Sequence, residues 1–352
     1  MLVHFRSFCN KNFCKQPLHQ VFVARHEEAP FSRTPQPAQT SYLVLSIAHQ
    51  ISALLFVPFL IVNSYKIQKV KEIKLNYESN YFIRVKRTST NEIQNIPFEE
   101  YIVGVLAGEM PISFEKEAFK AQAVAARSYA LKRILYNKDN DYDVVDSVMN
   151  QVYLDDNYLK DVWGDNYIVN INKLREAVNE TALEYLDYNG EVIDAMFFST
   201  SNGYTEDAAT VFSVDLPYLK SVKSGWDERT SSAFRSTTTM NINDFYSKLG
   251  LEYSDSFDVL VLKRSSTNRI ITISVNGKEF SARTLYDKLS LKSTDFSLKR
   301  DGDKIIIDTV GYGVGMSQYG AKGMAEEGYN YKEILSYYYS GTSIKKIKNF
   351  GI

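Results

Sequence analysis

Ile96-Pro-Phe-Glu-Glu-Tyr-Ile-Val-Gly-Val-Leu-Ala-Gly-Glu-Met-Pro111 decides the fold, because it predicts a short helix with both of its ends marked. Pro97 is well suited to the first helical position, and two glutamates follow in the first turn, where the helix dipole favours acids. Apolar residues such as Ile102 and Leu106 indicate a buried face. The helix ends at Met110-Pro111, since the residue before a proline is pushed out of helical conformation.

The last residue of this predicted helix is Glu109. The dipole at a helix C-terminus is unfavourable for an anion, so the pKa of a carboxyl group there is expected to rise. A carboxylic acid that stays protonated near neutral pH is what a general acid requires. On spacing alone, however, an exposed surface glutamate is the commoner interpretation of such a residue.

Helices and hairpins alternate along the rest of the chain. A second helix is predicted over about 115–135, with a small-residue face that lets another element approach closely, and a third over about 172–186. Asn189-Gly190 and Asn276-Gly277 predict hairpin turns. Further strands are predicted at about 259–263, 270–275 and 304–309, followed by two helices after residue 315. The fold class is therefore α+β, with mixed helices and antiparallel hairpins, and we expect no internal repeat.

Composition excludes several classes of function. The chain has 352 residues and a formal net charge of −1, which does not favour a nucleic-acid binder. All four histidines and both cysteines lie within the first 49 residues. The body therefore has no residues for Ser-His-Asp or Cys-His catalysis, for a Cys/His zinc site or for disulfides. Its chemistry must come from carboxylates, Lys, Tyr, Ser/Thr or the backbone.

The N-terminal part predicts a membrane anchor. Residues 1–42 show no period and are expected to be disordered, and Leu43–Val62 is an apolar run long enough to span a bilayer. A cleaved signal peptide is the alternative, but Asn63-Ser-Tyr-Lys66 is a poor cleavage site. We therefore predict an anchor at 43–63, a linker with short strands at 64–95, and one large extracytoplasmic domain at 96–345.

Two further motifs are ambiguous when considered alone. Gln122 and Arg127 lie on the second predicted helix, where an ordinary solvated face is the simpler interpretation. The hydroxyl-rich segment 199–205 could bind a sugar, but a plain turn is the simpler interpretation.

Six motifs in order make the body similar to the stage II sporulation protein D family. They are the opening stretch, Ala118-Phe-Lys-Ala-Gln-Ala-Val-Ala-Ala-Arg-Ser-Tyr129, Gln151-Val-Tyr153, Ser199-Thr-Ser-Asn-Gly-Tyr-Thr-Glu206, Leu216-Pro-Tyr-Leu-Lys220, and Gly313-Val-Gly-Met-Ser-Gln318 with Gly320-Ala-Lys-Gly-Met324. Together they extend over nearly the whole body.

The resemblance implies a lytic transglycosylase that cuts peptidoglycan glycan strands during engulfment of the forespore in sporulation. It implies a single-pass protein of the mother-cell membrane at the sporulation septum, with the catalytic domain outside the cytoplasm. The implied partners are an amidase, stage II sporulation protein P, and a membrane protein, stage II sporulation protein M. The implied substrate is glycan whose stem peptides have been removed. No cofactor and no nucleic acid is expected.

Within this resemblance Glu109 is the catalytic acid. The candidates for the wall of the glycan groove are Gln122, Arg127, Gln151, Tyr153, Ser201, Tyr204, Tyr312, Ser317 and Gln318.

Two departures from the family pattern carry consequences. Relatives usually have a histidine where Tyr312 stands, and a tyrosine can stack on a sugar but cannot titrate near neutrality. Some relatives hold zinc with a Cys and a His just before Gln151, where this chain has Val145 and Asn150, so we predict no metal.

Two hypotheses therefore stay open. Glu109 favours an active enzyme, whereas the missing histidine favours a catalytically weak glycan-binding partner that localises or stimulates an amidase, as the related amidase-enhancer proteins are thought to do. A vegetative cell-wall role outside sporulation is a third possibility.

Overall fold

The computed structural model describes residues 54, 57, 70–76 and 81–348. The predicted segment 1–42, the predicted anchor apart from two positions, and part of the predicted linker lie outside these residues. Among the described residues, no helix is both long and apolar enough to cross a membrane. All elements named below belong to one compact unit that includes the chain from Lys71 onward.

The first half of this unit alternates helices with short strands. Its elements are β1 (Phe82–Lys86), β2 (Ile93–Pro97), α1 (Phe98–Glu109), α2 (Lys116–Tyr136), β3 (Val144–Val145), α3 (Asp156–Trp163), α4 (Tyr167–Glu180), β4 (Glu184–Tyr188), β5 (Glu191–Val192) and β6 (Phe197–Phe198). β1 and β2 form the antiparallel pair expected from the sequence, and β4 and β5 form the hairpin predicted at Asn189-Gly190.

Local predictions in this half need two corrections. Pro97 is the last residue of β2 and occupies the N-cap position of α1, so the helix begins one residue later than predicted. The third predicted helix is displaced: α4 ends at Glu180, and a turn in which Leu183 has a φ of 62° leads into β4. This segment pairs with another strand through its backbone and buries most of its side chains. These tertiary contacts override its helical pattern.

The main hydrophobic core is organised around α2. Alanines such as Ala121, Ala123 and Ala126 are fully buried, and α1, α4, β4 and later helices pack against different sides of α2. A helix surrounded in this way needs small side chains on several faces. The small-residue face predicted for this helix is confirmed.

The second half contains an insertion with its own core. After α5 (Ala208–Phe212) and α6 (Asp227–Thr230), residues 235–310 form what we call the inserted lobe. Its elements are β7 (Arg235–Asn241), α7 (Ile242–Leu249), β8 (Val259–Arg264), β9 (Ile270–Val275), β10 (Lys278–Ser281), α8 (Ala282–Leu289), β11 (Phe296–Asp301) and β12 (Lys304–Val310). A separate hydrophobic cluster fills this lobe.

The inserted lobe is an internal repeat, contrary to our expectation. Met240–Leu251 and Phe280–Leu291 have the same plan, 40 residues apart: each helix begins at a side-chain cap and ends at a residue with left-handed backbone. Each repeat is a strand, a helix and two strands, but the repeats exchange strands, because β9 pairs with β10 and β12 pairs with β7. Four residue pairs are identical at this offset, namely Tyr246/Tyr286, Lys248/Lys288, Leu249/Leu289 and Leu251/Leu291.

The chain then returns to the main core. β13 (Met316–Ser317) pairs with β6, α9 (Gln318–Glu326) and α10 (Tyr331–Tyr338) follow, and β14 (Ser343–Lys346) pairs with β4. Mixed helices with mainly antiparallel sheets agree with the α+β class. In this returning part of the chain, α9 packs against α2.

Candidate functional site

One face of α1 carries two glycines instead of side chains. A Cβ on Gly108 would lie 2.6 Å from the Val152 carbonyl oxygen, and a Cβ on Gly104 would lie 2.6 Å from that of Leu154. The Leu154 N–H donates to the Gly104 carbonyl at 3.2 Å. The extended segment 151–154 therefore lies directly on the helix backbone, which only glycine permits.

This close approach brings a backbone donor to the carboxyl group of Glu109. The Val152 N–H donates to Glu109 Oε1 at 2.7 Å. Burial raises the pKa of Glu109 above its ordinary 4.5, and the contact with Val152 only partly offsets that rise. Among the described residues, no cation contributes to this pKa. The carboxyl group is thus held in place by one N–H and without a counter-ion.

Gln318, the first residue of α9, faces the same carboxyl group. Its amide lowers the pKa of Glu109, yet Gln318 Nε2 has no well-formed hydrogen bond within the described part of the chain. On α2, which packs against α9, Gln122 is fully buried and neither of its amide atoms has a partner among the described residues. Buried amides normally make hydrogen bonds, so both side chains have capacity for a ligand or water.

Ser201 and Ser317, two predicted groove residues, are instead fully buried beneath the site at a carboxylate that the sequence did not reveal. Asp227 Oδ1 accepts from the Ser201 N–H at 2.7 Å and from the Ser317 hydroxyl, and Oδ2 accepts from the Ser224 hydroxyl at 2.6 Å. Burial raises the pKa of Asp227, and these donors lower it. The contact of either serine side chain with substrate stays a prediction.

Arg127 lies inside the core. Its Nε donates to Glu99 Oε1 at 2.9 Å and its Nη2 to Oε2 at 2.7 Å, while Nη1 donates to the Glu184 carbonyl at 2.9 Å. Neither Arg127 nor Glu99 is appreciably exposed. The guanidinium is used to join α2 to α1 and β4, so it could contact a glycan only if this ion pair opened.

Gln151 and Tyr153 support the segment that carries Val152. The Gln151 amide donates to the Ala126 carbonyl at 3.3 Å and accepts from the Tyr101 hydroxyl at 3.0 Å. The Tyr153 ring stacks on Tyr101 at a centroid distance of 5.4 Å, and burial raises its pKa to about 12. Both side chains therefore position this segment, whether or not they also contact substrate.

Tyr312 contacts the inserted lobe. Its ring lies 6.0 Å from that of Tyr286 and 5.3 Å from the guanidinium of Arg269. Arg269 is itself buried, forms an ion pair with Glu206 and donates to the Tyr204 carbonyl at 3.1 Å. Burial raises the pKa of Tyr312, so the hydroxyl stays neutral at physiological pH.

Tyr204 is the most open of the predicted groove residues, with 41% of its surface exposed. A sugar could stack on such a ring without displacing anything, although this contact stays a prediction. The neighbouring Asn202 donates to the Thr267 carbonyl at 3.0 Å and to Asp295 at 2.9 Å. The loop 199–205 is therefore fastened to the inserted lobe, while Tyr204 stays accessible.

The positions at which some relatives hold zinc are joined here by hydrogen bonds. Asn150 Oδ1 accepts from the Val145 N–H at 2.9 Å, and its amide donates to the Tyr129 hydroxyl at 3.0 Å. In the described ranges, no three or more His, Cys, Asp or Glu side chains cluster closely enough to bind a metal. That the protein needs no zinc stays a prediction.

Comparison with known proteins gives consistent relatives. Residues 86–188 match the family described as Stage II sporulation protein. Stage II sporulation protein D of Bacillus amyloliquefaciens is 41% identical over 280 residues, covering 78% of this chain and 81% of the relative. The protein of the same name from Bacillus subtilis is 42% identical over 275 residues, covering 76% and 80%. An amidase enhancer of Bacillus subtilis is 32% identical over 299 residues, covering 68% of this chain and 40% of the relative.

Proposed function

The chain belongs to the stage II sporulation protein D family, and on that premise we propose that it is a lytic transglycosylase acting on the glycan strands of peptidoglycan during sporulation. The bond cleaved is that between N-acetylmuramic acid and N-acetylglucosamine. The observation that carries the proposal is the half-buried Glu109 carboxyl group, which is held by the Val152 N–H and has no counter-ion in the described residues.

One carboxyl group is sufficient for this reaction. Protonated Glu109 donates its proton to the glycosidic oxygen as the bond to C1 of the muramic acid breaks. The resulting carboxylate then accepts the proton of the C6 hydroxyl of the same sugar, whose oxygen bonds to C1. The product is a 1,6-anhydro sugar, Glu109 regains its proton, and no water is consumed. A hydrolase would instead need a second carboxylate about 5–10 Å away.

The surroundings of Glu109 suit both halves of this cycle. Burial favours the protonated form at the start, and the Val152 N–H stabilises the carboxylate that forms. The Gln318 amide nitrogen has no hydrogen-bond partner within the described chain, so it can turn towards Glu109 or towards a sugar oxygen. Both amide atoms of Gln122 lack a partner in the described residues, but the side chain is fully buried, so it could contact substrate only if its surroundings opened.

Mass spectrometry of bare glycan strands incubated with the full chain tests the proposal. We expect products ending in a 1,6-anhydro sugar, one water lighter than hydrolysis products, and none with Glu109→Gln. Reducing-end products would make the protein a hydrolase. Intact strands that stay bound to the protein would contradict both activities.

That last outcome would support a second candidate, a glycan-binding protein that stimulates an amidase. The amidase enhancer relative and the tyrosine at position 312 favour it. The discriminating variant is Tyr312→His. If the protein is the enzyme we propose, this change preserves or raises turnover, and a protein that remains inactive with histidine there favours the binding role.

The cellular setting forms part of the same proposal. We place the protein at the sporulation septum as a single-pass membrane protein with its body outside the cytoplasm, beside stage II sporulation proteins P and M. The names of its relatives support the sporulation role. Fluorescence microscopy of a tagged copy in sporulating cells, with and without residues 43–63, tests the location.

A further inference from the structure

Asp227 is a fully buried carboxylate bound by several segments of the chain at once. Its donors come from the loop 199–205, from the segment just before α6 and from the start of α9, namely Ser201, Ser224 and Ser317. The Ser224 oxygen also lies 2.7 Å from the Tyr338 hydroxyl, which adds α10. No cation forms an ion pair with Asp227 in the described part of the chain, so its hydrogen bonds alone compensate its burial.

The side of Asp227 that carries Oδ1 leads directly to the candidate site. Ser317 donates its hydroxyl proton to Oδ1 and caps α9 by accepting from the Gly320 N–H at 3.2 Å. The next residue is Gln318, whose amide faces Glu109. Oδ2 accepts from the Ser224 hydroxyl, which lies beside Tyr338 and against Gly320 of the same turn.

The first turn of α9 is shaped for this contact. A Cβ on Gly320 would lie 2.9 Å from Asp227 Oδ2 and would overlap the Tyr338 hydroxyl oxygen, so the turn can lie against the carboxylate only because position 320 is glycine. The first turn of α9, which carries Gln318, therefore lies directly against Asp227, Ser224 and Tyr338.

We propose that Asp227 is a positioning residue of the site: through Ser317 it fixes the first turn of α9 and thereby holds the Gln318 amide against Glu109. This inference rests on the proposed function for its effect on cleavage, but the geometry it asserts can be measured without any substrate. Asp227 itself takes no part in the proposed reaction.

The test measures the pKa of Glu109 by NMR in the full chain labelled at the glutamate side-chain carboxyl carbons, with Glu109→Gln assigning the signal. Asp227→Ala and Ser317→Ala should both raise this pKa, because the Gln318 amide that lowers it is released. Both should also slow glycan cleavage by about 10- to 100-fold, the cost of a misplaced catalytic contact. Asp227→Asn keeps an Oδ1 acceptor and should restore most of the pKa and of the rate.

Ser224→Ala is the matched control, since it removes the serine hydroxyl that donates to Oδ2 of the same carboxylate and leaves the Ser317 contact with Oδ1 in place. We expect it to lower stability while leaving the pKa of Glu109 as in the unmodified protein. If Ser317→Ala leaves that pKa unchanged, or Ser224→Ala shifts it equally, the positioning role is wrong. If Asp227→Ala does not fold, the two serine variants still decide.

Two other outcomes are equally decisive. If Asp227→Asn is as damaging as Asp227→Ala, the negative charge acts rather than the hydrogen-bond geometry, and the proposal falls. If the unmodified protein fails to cleave glycan while the pKa of Glu109 responds as expected, the proposed function fails and the positioning role of Asp227 stands.

Discussion

Two glutamates at opposite ends of α1 lie in contrasting electrostatic surroundings. Glu99 lies in the first turn, where the helix dipole favours its charge, and Arg127 binds both of its oxygens. Glu109 lies in the last turn, where the dipole opposes its charge; it accepts from the Val152 N–H, and the Gln318 amide lies nearby. About 15 Å of helix separates them.

The difference lies in what compensates the charge. Glu99 forms a buried ion pair with Arg127, and separating such a pair would leave an uncompensated charge in the core, so its side chain is structural. Glu109 has no such partner among the described residues, and burial alone raises its pKa. A carboxyl group whose pKa is raised can donate a proton and afterwards accept one, as the proposed reaction requires.

The largest expected effect comes from removing the proton of Glu109. Glu109→Gln keeps the size and the Val152 contact but cannot donate a proton to a leaving oxygen, so we expect cleavage to fall by about 10²–10⁴-fold or more. Product analysis by mass spectrometry measures the rate, and pull-down with insoluble glycan measures retained binding. The matched change at the other end of the helix, Glu99→Gln, should act through stability, so a variant with normal stability and no activity at Glu99 would break the comparison.

The second effect concerns the structural pair. Arg127→Met leaves the Glu99 carboxylate buried without its partner, and we expect the free energy of unfolding to fall by about 3–5 kcal/mol. Urea denaturation followed by circular dichroism measures this change. The double variant Glu99→Leu with Arg127→Met removes both charges and should recover much of the loss. A double variant as unstable as the single one would show that the packing of the two side chains matters more than their charges.

A third effect acts on the glycines of α1. Gly108→Ala should gain helix propensity worth about 1 kcal/mol but drive a methyl group against the Val152 carbonyl, so we expect a net loss of about 1–3 kcal/mol and a higher pKa of Glu109 as the Val152 N–H withdraws. Thermal unfolding and NMR titration measure the two quantities. Ala107→Gly is the control, because it weakens the same helix turn without moving Val152. An unchanged pKa of Glu109 in Gly108→Ala would show that Gly108 does not control the contact between the Val152 N–H and Glu109.

These examples show what the sequence can and cannot predict. The end of α1, the small face of α2 and the two Asn-Gly hairpins follow from signals within a few residues, and the structure agrees with them, whereas α1 begins one residue later than predicted. The Val152 N–H at Glu109 and the carboxylate of Asp227 depend on segments that are distant in sequence, and a backbone donor leaves no side-chain signature. Arg127 was ambiguous for a similar reason, because helical spacing does not distinguish a solvated arginine from one paired inside the core.

The exchanged strands of the inserted lobe escaped prediction because each repeat completes its sheet with a strand of the other. Local pattern shows the strands but not their partners. The capping residues and apolar positions of α7 and α8 recur 40 residues apart, and an alignment of the sequence with itself at that offset would have found them.

The smallest expected effect is that of Glu109 on the pH dependence of stability. The pKa of Glu109 is higher in the folded than in the unfolded chain, so folding favours its protonated form. Its contribution is fully present below the unfolded pKa of about 4.5 and is lost as the pH rises through the folded value. Glu109→Gln should therefore gain stability relative to the unmodified chain as the pH rises from acid to neutral, and the two should be equally stable in acid. Chemical denaturation at pH 4 and pH 7.5 measures this, and a variant that is less stable at pH 7.5 would mean that the Glu109 carboxylate is stabilised by folding, as an ion-paired residue is.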